Sequence, residues 1–323
     1  NNNFTNYIIF DETAPTLAGT TTDLVISEAV DFDDDTNTKY AKAGETVSLA
    51  FISIEALGDA SAVGFDNVDG TIGGLAATVT GGGTGLETQY TLTRELNASM
   101  AAGALAIVLN FEDIAGNTGT ALSQADLDGI NVVFDNTAPN ITTAGIVSSN
   151  ATNTLAKVGD VITLSVVSEE DIYSITAAQI AGQNVAALNI TETDARNWSF
   201  TYTMLSTDTE GVITFTFTAN DLAGNGTTVT TATSGSVMFD KTAPTLSTVE
   251  IVSNNANTSY AKTLNVVTLT IASDEDLIAA PTVLLAGRAT TVAATAGGTA
   301  LRDYTATITM NSTDTQGAMA ISI

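Results

Sequence analysis

Short runs in which apolar residues alternate with small or polar ones recur along the chain. Val47, Leu49 and Phe51 are separated by Ser48 and Ala50; Ile162, Leu164 and Val166 by Thr163 and Ser165; Val267, Leu269 and Ile271 by Thr268 and Thr270. A period of two places every apolar side chain of a run on one face, so each run reads as a β-strand with one buried side. Further alternating runs follow each of these: Tyr90 and Leu92; Trp198, Phe200, Tyr202 and Met204; Tyr304, Ala306, Ile308 and Met310. Near-identical turns, 206–211 and 312–317, then lead into Ile213, Phe215, Phe217 and into Met319, Ile321, Ile323. No helical periodicity of useful length appears. Strands and turns spaced by about ten residues predict antiparallel two-sheet sandwiches.

The strands belong to a repeated unit. Phe10-Asp11-Glu12-Thr13-Ala14-Pro15 returns as Phe134-Asp135-Asn136-Thr137-Ala138-Pro139 and as Phe239-Asp240-Lys241-Thr242-Ala243-Pro244. The prolines stand 124 and 105 residues apart (139 − 15 and 244 − 139), a domain-sized interval rather than a solenoid period. The expected fold is all-β, a tandem array of immunoglobulin-like sandwiches over 12–135, 136–240 and 241–323, preceded by a strand at 1–11. The first copy is longer than the others, and the excess is expected in the loop Asp66 to Gly74 and the run Gly81-Gly82-Gly83.

Composition narrows the function. The chain has no cysteine and no histidine, which removes thiolate metal sites, disulfides, cysteine nucleophiles and histidine proton shuttles. Thirty-six acidic residues against 9 basic give a formal charge of −27. That excludes nucleic acid and anionic membrane as partners, since both select a cationic face. No run of 18 apolar residues is present, so no membrane insertion by a helix is expected. The start, Asn1-Asn2-Asn3, lacks methionine and a leader, which reads as a processed chain or a window of a longer one. Acidic residues are plentiful, but they recur at equivalent turns, and no unique converging pair points to glycoside hydrolysis. The chain is therefore expected not to be an enzyme.

The repeated tail, Glu112-Asp113-Ile114-Ala115-Gly116-Asn117 and Asn220-Asp221-Leu222-Ala223-Gly224-Asn225, precedes a last strand and the Phe-Asp-x-Thr-Ala-Pro junction. This pattern resembles the tandem bacterial-type Ig-like repeats of large surface proteins and adhesins, over nearly the whole chain. The resemblance implies an extracellular or cell-surface stalk or fibre, often stiffened by calcium. The third copy departs from the pattern: at Ile323 it has not reached its Asp-x-Ala-Gly-Asn turn or last strand. Conversely, Tyr7-Ile8-Ile9-Phe10-Asp11 matches the last strands 131–135 and 236–240 and has no domain before it. A surplus strand and a vacancy suggest donor-strand assembly, with Tyr7, Ile8 and Phe10 of one copy entering beside Met319, Ile321 and Ile323 of the next. Such a joint does not close, so copies of the chain would form a helical head-to-tail homopolymer. The alternatives are a covalent adhesin stalk and a carbohydrate-binding module.

Calcium requires six to eight oxygen ligands, and the candidates at the junctions are Asp11, Asp113, Asn117, Asp135, Asp221, Asn225 and Asp240. Asp and Asn at these places also serve as turn caps without any ion. The acidic run Asp31 to Asn37 lacks the glycine and glutamate of an EF-hand and reads as a solvated loop. Acceptor motifs for covalent glycans fall at Asn3, Asn97, Asn140, Asn150, Asn189, Asn197, Asn225, Asn257 and Asn311. The one tryptophan, Trp198, reads as core rather than as a sugar platform.

Overall fold

The structure, a computed structural model, describes residues 8–18, 23–27, 38–58, 67–81, 88–127, 131–295, 297–299 and 301–323. Tyr7, Asn3, Gly82, Gly83 and the acidic run 31–37 lie outside the described residues. Apart from two single-turn 3₁₀ segments, Gln124–Asp126 and Ala187–Asn189, the regular elements described are all strands. Contacts divide the chain into two compact units, Asn1–Asp240 and Lys241–Ile323.

The first unit contains two separate apolar cores, each between opposed sheets. In the first sandwich, a sheet ordered Asp23–Ser27, Thr46–Ile52, Gln89–Glu95, Thr78–Gly81 faces two others. One is ordered Leu122–Ser123, Ile107–Phe111, Val68–Ile72, Leu75–Ala76, and the other Thr38–Ala41, Asn131–Phe134, Gly103–Ala104. The second sandwich repeats the plan with Ile141–Ser148, Val161–Ser168, Asn197–Thr203, Ile190–Asp194 on one side. Against them lie Gln183–Asn184, Ser174–Ile180, Phe215–Asn220, Gly226–Val229, and the trio Leu155–Ala156, Met238–Phe239, Gly211–Val212. Tandem immunoglobulin-like sandwiches are thus the fold. The alternating residues are buried as the period requires: Val47, Leu49, Phe51, Ile162, Leu164 and Val166 all face a core. Register brings large side chains opposite one another across strands, Phe51 to Tyr90 and Leu164 to Phe200. The buried Tyr90 hydroxyl donates to Gly58 O (2.8 Å) and accepts from Leu57 N–H (3.0 Å), so its polar tip is satisfied.

Two expectations need correction. Asp66 lies outside the described residues, and the rest of the expected loop to Gly74 is not one, because Val68–Ile72 is a central strand with Val68 and Ile72 buried. Its glycine misleads: a Cβ on Gly70 would come within 2.5 Å of Val108 O, so the residue marks close packing of strands rather than a bend. Each copy also begins before its first alternating run, at Asp23–Ser27, Ile141–Ser148 and Leu246–Ser253. In the second copy small residues hide the pattern. Gly145 lies where a Cβ would meet Ser234 Oγ at 2.9 Å.

The second unit is a smaller version of the same plan, with Leu246–Ser253, Val266–Ser273, Asp303–Thr309, Thr291–Ala294 opposite Arg288–Ala289, Leu284–Leu285, Ile321–Ser322. Val267, Leu269 and Ile271 are buried, and Met319 is partly buried against them. One flank differs from the second sandwich. There, Ala144 N–H donates to Thr233 Oγ1 (2.9 Å) and Ile146 N–H to Ser234 O (3.1 Å), and both residues are buried. Their counterparts Val249 and Ile251 are 49% and 36% exposed. Ile321 and Ile323, which stand in the places of the buried Phe215 and Phe217, are 40% and 44% exposed.

Trp198 is partly buried against the second core and is the only tryptophan, so its fluorescence reports on that sandwich alone. Phe200 is fully buried and packs edge-on against Phe217, centroids 5.2 Å apart. Phe200→Ala is expected to destabilise the second sandwich by about 3–5 kcal/mol. Urea unfolding followed at Trp198 checks this; an unmoved midpoint would show that the core is not packed as described.

Candidate junction sites

Each Asp-x-Ala-Gly-Asn segment is a tight turn built around its own aspartate. Asp221 Oδ1 accepts the N–H groups of Ala223 (2.9 Å) and Asn225 (2.8 Å), and its Oδ2 accepts the Asn225 side-chain amide (2.9 Å). Asp113 does the same for Asn117, at 2.8 and 2.6 Å. The backbone closes the turn through Asp221 N–H to Asn225 O (3.0 Å) and Gly224 N–H to Asp221 O (3.1 Å). Gly116 and Gly224 have φ of +90° and +77°, a left-handed conformation that glycine adopts without penalty.

The turn then grips the chain that enters from the preceding strand. The Asn225 amide also donates to Asp135 O (3.1 Å), and the Asn117 amide to Asp11 O (3.3 Å). Asp11 and Asp135 in turn cap Thr13 and Thr137 N–H, each at 2.9 Å. Thr227 Oγ1 donates to Pro139 O (2.7 Å). The Asp-x-Thr-Ala-Pro junctions at 11–15 and 135–139 are therefore hydrogen-bonded seats rather than loose linkers.

Two carboxylate groups converge at these seats. Asp11, Glu55 and Asp113 form one, and Asp135, Glu170 and Asp221 the other, with one oxygen of each residue within 4.8 Å of the rest. Aspartates 11, 113, 135 and 221 were anticipated; Glu55 and Glu170 were not. Their signal is the recurrent Ser-x-Glu after the first alternating strand, Ser53-Ile54-Glu55 and Ser168-Glu169-Glu170, in which the buried serine Oγ accepts the glutamate N–H (3.3 Å in both). Asp240 closes the first unit with its N–H on Ala156 O (2.9 Å), and among the described residues of that unit it joins no such group.

Crowding of like charge is visible in the acidities. Burial, then the charges of Asp11 and Asp113, push the Glu55 carboxyl up. Burial, then Asp135 and Asp221, do the same to Glu170. Burial also raises Asp221 against the hydrogen bonds from Asn225, with Asp135 reinforcing the rise. In Asp113 burial acts upward too, but hydrogen bonds from Asn117, Ala115 and Gly116 outweigh it and hold the carboxyl below its usual range. The donor set fits a hard divalent cation. It is all oxygen, and ligands at 2.3–2.6 Å from a common ion lie at most about 5 Å apart.

Between the first and second sandwiches the seat has a third component. Lys42 Nζ donates to Gly224 O (2.7 Å), and Ala43 N–H to Asn136 Oδ1 (3.2 Å).

The glycan acceptors separate by what their amides do. Asn150, Asn197 and Asn225 spend their side-chain N–H on Asp160 (2.8 Å), Asp194 (2.9 and 3.0 Å) and the junction. Asn97, Asn257 and Asn311 are exposed, with Oδ1 accepting the N–H two residues on. Asn140 is exposed and Asn189 half-exposed. Ile8 and Phe10 are 97% and 82% exposed.

No family model matches the chain, and no curated protein matches it. Solved structures similar to it include a three-Ig-domain titin variant, at 10% identity over 93% of this chain and 90% of that one, TM-score 0.40. An ectodomain fragment of ICAM-5 is 14% identical over 94% and 74% of the two chains, TM-score 0.32. The human desmocollin-1 ectodomain is 11% identical over 96% and 57%, TM-score 0.21.

Because burial and the neighbouring carboxylates push the Glu170 carboxyl above its usual range in the fold, the folded state holds its proton more tightly than the unfolded chain, and this contribution to stability falls as pH rises from the unfolded value through the folded one. Glu170→Gln in chelator is therefore expected to stabilise the second sandwich at neutral pH, with the gain vanishing below the glutamate range. Thermal melts from pH 3 to 8 check the sign; a destabilised variant at pH 7 would refute the crowding.

Proposed function

We propose that the chain is a non-enzymatic structural piece of an extracellular stalk or filament, extended at its third domain by strand addition. The observation that carries this reading is a match of exposed surfaces. Where Phe-Asp-x-Thr-Ala-Pro follows a strand, the phenylalanine and the residue two before it are buried, Val132 and Phe134, then Val237 and Phe239, while Val133 and Met238 between them are more exposed. Ile8, Ile9 and Phe10 occupy the same three positions of the repeat and all face solvent. Val249, Ile251, Ile321 and Ile323 form an apolar flank in the third domain. Burial of side chains such as Ile8 and Phe10 is worth about 1.5–3 kcal/mol each. Donation from residues 3–11 of one copy, with Tyr7, Ile8 and Phe10 entering beside Met319, Ile321 and Ile323, gives an open homopolymer.

One observation favours a second reading, a covalent stalk in which following polypeptide completes the third domain. The uncovered flank is wider than one strand: the end of Phe215–Asn220, the Asp-x-Ala-Gly-Asn turn and Gly226–Val229 also have no counterpart in residues 1–11. In both readings the carboxylate seats hold calcium, with Asp11, Glu55 and Asp113 in one set and Asp135, Glu170 and Asp221 in the other, and the ion neutralises charge that otherwise pushes the linker away. Exposed Asn97, Asn257 and Asn311 are the acceptors best placed for covalent glycans.

Two measurements test this. Electron microscopy of the intact chain should show filaments that disappear in an Ile8→Asp, Phe10→Asp variant; monomers from both would leave the covalent stalk. Calorimetric titration with calcium should find two sites per chain, reduced to one by Glu55→Gln or Glu170→Gln, and absence of heat would remove the ion from the account.

A further inference from the structure

Three of the nine basic residues occupy one position of the repeat. Lys42, Lys157 and Lys262 each open the turn before the long strand of their sandwich, with the lysine N–H held by the side chain three residues on: Glu45 (2.8 Å), Asp160 (2.8 Å) and Asn265 (2.9 Å). The turns match in their backbone bonds as well, Gly44 N–H to Leu96 O, Gly159 N–H to Met204 O and Leu264 N–H to Met310 O. In the first sandwich this turn makes the joint with the second. Lys42 reaches Gly224 O, and Ala43 N–H reaches Asn136 Oδ1.

The third copy has the same turn with one departure. Leu264 stands where the others have glycine, keeps the left-handed conformation at φ +73°, and is 79% exposed. A leucine there is strained and projects an apolar side chain into water, two costs with no return inside its own domain. At the other end of the chain, the first sandwich has the parts that such a turn meets in the observed joint. Gly116 O is the counterpart of Gly224 O and Glu12 stands where Asn136 accepts; beside them Ile114, at the position of Leu222 in the repeat, is 65% exposed, and a Cβ at Gly44 in the observed joint meets nothing within 4 Å, which leaves room for a leucine there. Asp11, Glu12, Glu55 and Asp113 make this end strongly anionic, and Lys262 offers it a cation.

We propose that the turn Lys262-Thr263-Leu264 is a docking surface for the first sandwich of a second copy of this chain. Its contacts repeat the intrachain joint: the Lys262 ammonium donates to Gly116 O, Thr263 N–H donates to the Glu12 carboxylate, and Leu264 covers Ile114. This rests on the head-to-tail reading above and names what orients the joint once the donated strand is in place.

Sedimentation of the intact chain, of Lys262→Met and of Leu264→Gly tests it, with Lys157→Met, which loses its ion pair to Asp160 (3.1 Å) within its own turn, as the comparison at the equivalent position. Lys262→Met is expected to raise the concentration needed for association by roughly tenfold, the scale of one hydrogen bond to a charged group. Leu264→Gly removes the strain, so it should raise the melting temperature of the third domain while weakening association, a combination that a purely structural leucine does not give. Lys157→Met should associate as the intact chain does. Association unchanged in both Lys262→Met and Leu264→Gly overturns the docking surface and leaves strand donation standing. An intact chain that does not associate overturns both.

Discussion

The joint between sandwiches depends on how one aspartate side chain is spent. Asp221 uses its oxygens to fold the turn Asp-Leu-Ala-Gly-Asn, accepting from two backbone N–H groups and one amide. The same amide, on Asn225, reaches the carbonyl of Asp135 and so fixes where the next sandwich begins. A residue that holds its own turn rigid therefore also holds its neighbour, and local order becomes domain orientation. The cost is electrostatic: the turn brings Asp221 beside Asp135 and Glu170, and the three charges repel unless something positive or a proton intervenes.

Arg196, whose charge lowers Glu170, is part of the answer that the chain itself supplies, and Lys42 ties the first sandwich to the same turn. The lysine's bond to Gly224 O sets an ammonium on the turn whose aspartate carries one of the three charges. In a molecule with net charge −27 a lysine placed so is one of only nine cationic side chains. The acidity of the remaining surface makes separate molecules repel, exposed like charges acting over about 8–10 Å in physiological salt.

The alternating strands were legible because one face of each is buried and the other is not. Leu164 and Phe200 could be placed in the core from period alone. The junction aspartates were legible from repetition, which no packing argument could have supplied. Glu55 and Glu170 were not, since they lie 35 to 58 residues from the aspartates they join and their Ser-x-Glu turn follows a strand that appears complete. Lys42 was hidden for a related reason: its partner is a carbonyl, and a backbone acceptor leaves no trace in side-chain pattern. The strand Val68–Ile72 was lost to Gly70, whose missing side chain signifies contact with Val108 and Leu92 rather than a turn.

The parallel pairing of the last strand of a sandwich with one near its start has a mechanical meaning. Asn131–Phe134 lies in register with Thr38–Ala41 at four residues, whereas Met238–Phe239 meets Leu155–Ala156 at two. Because the strands run the same way and sit near opposite ends of their domain, a pull along the chain slides one past the other, and the bonds of the pair share the load instead of opening one by one. The first sandwich is thus the stronger shear clamp. A pull on the two sandwiches loads four paired residues in the first and two in the second.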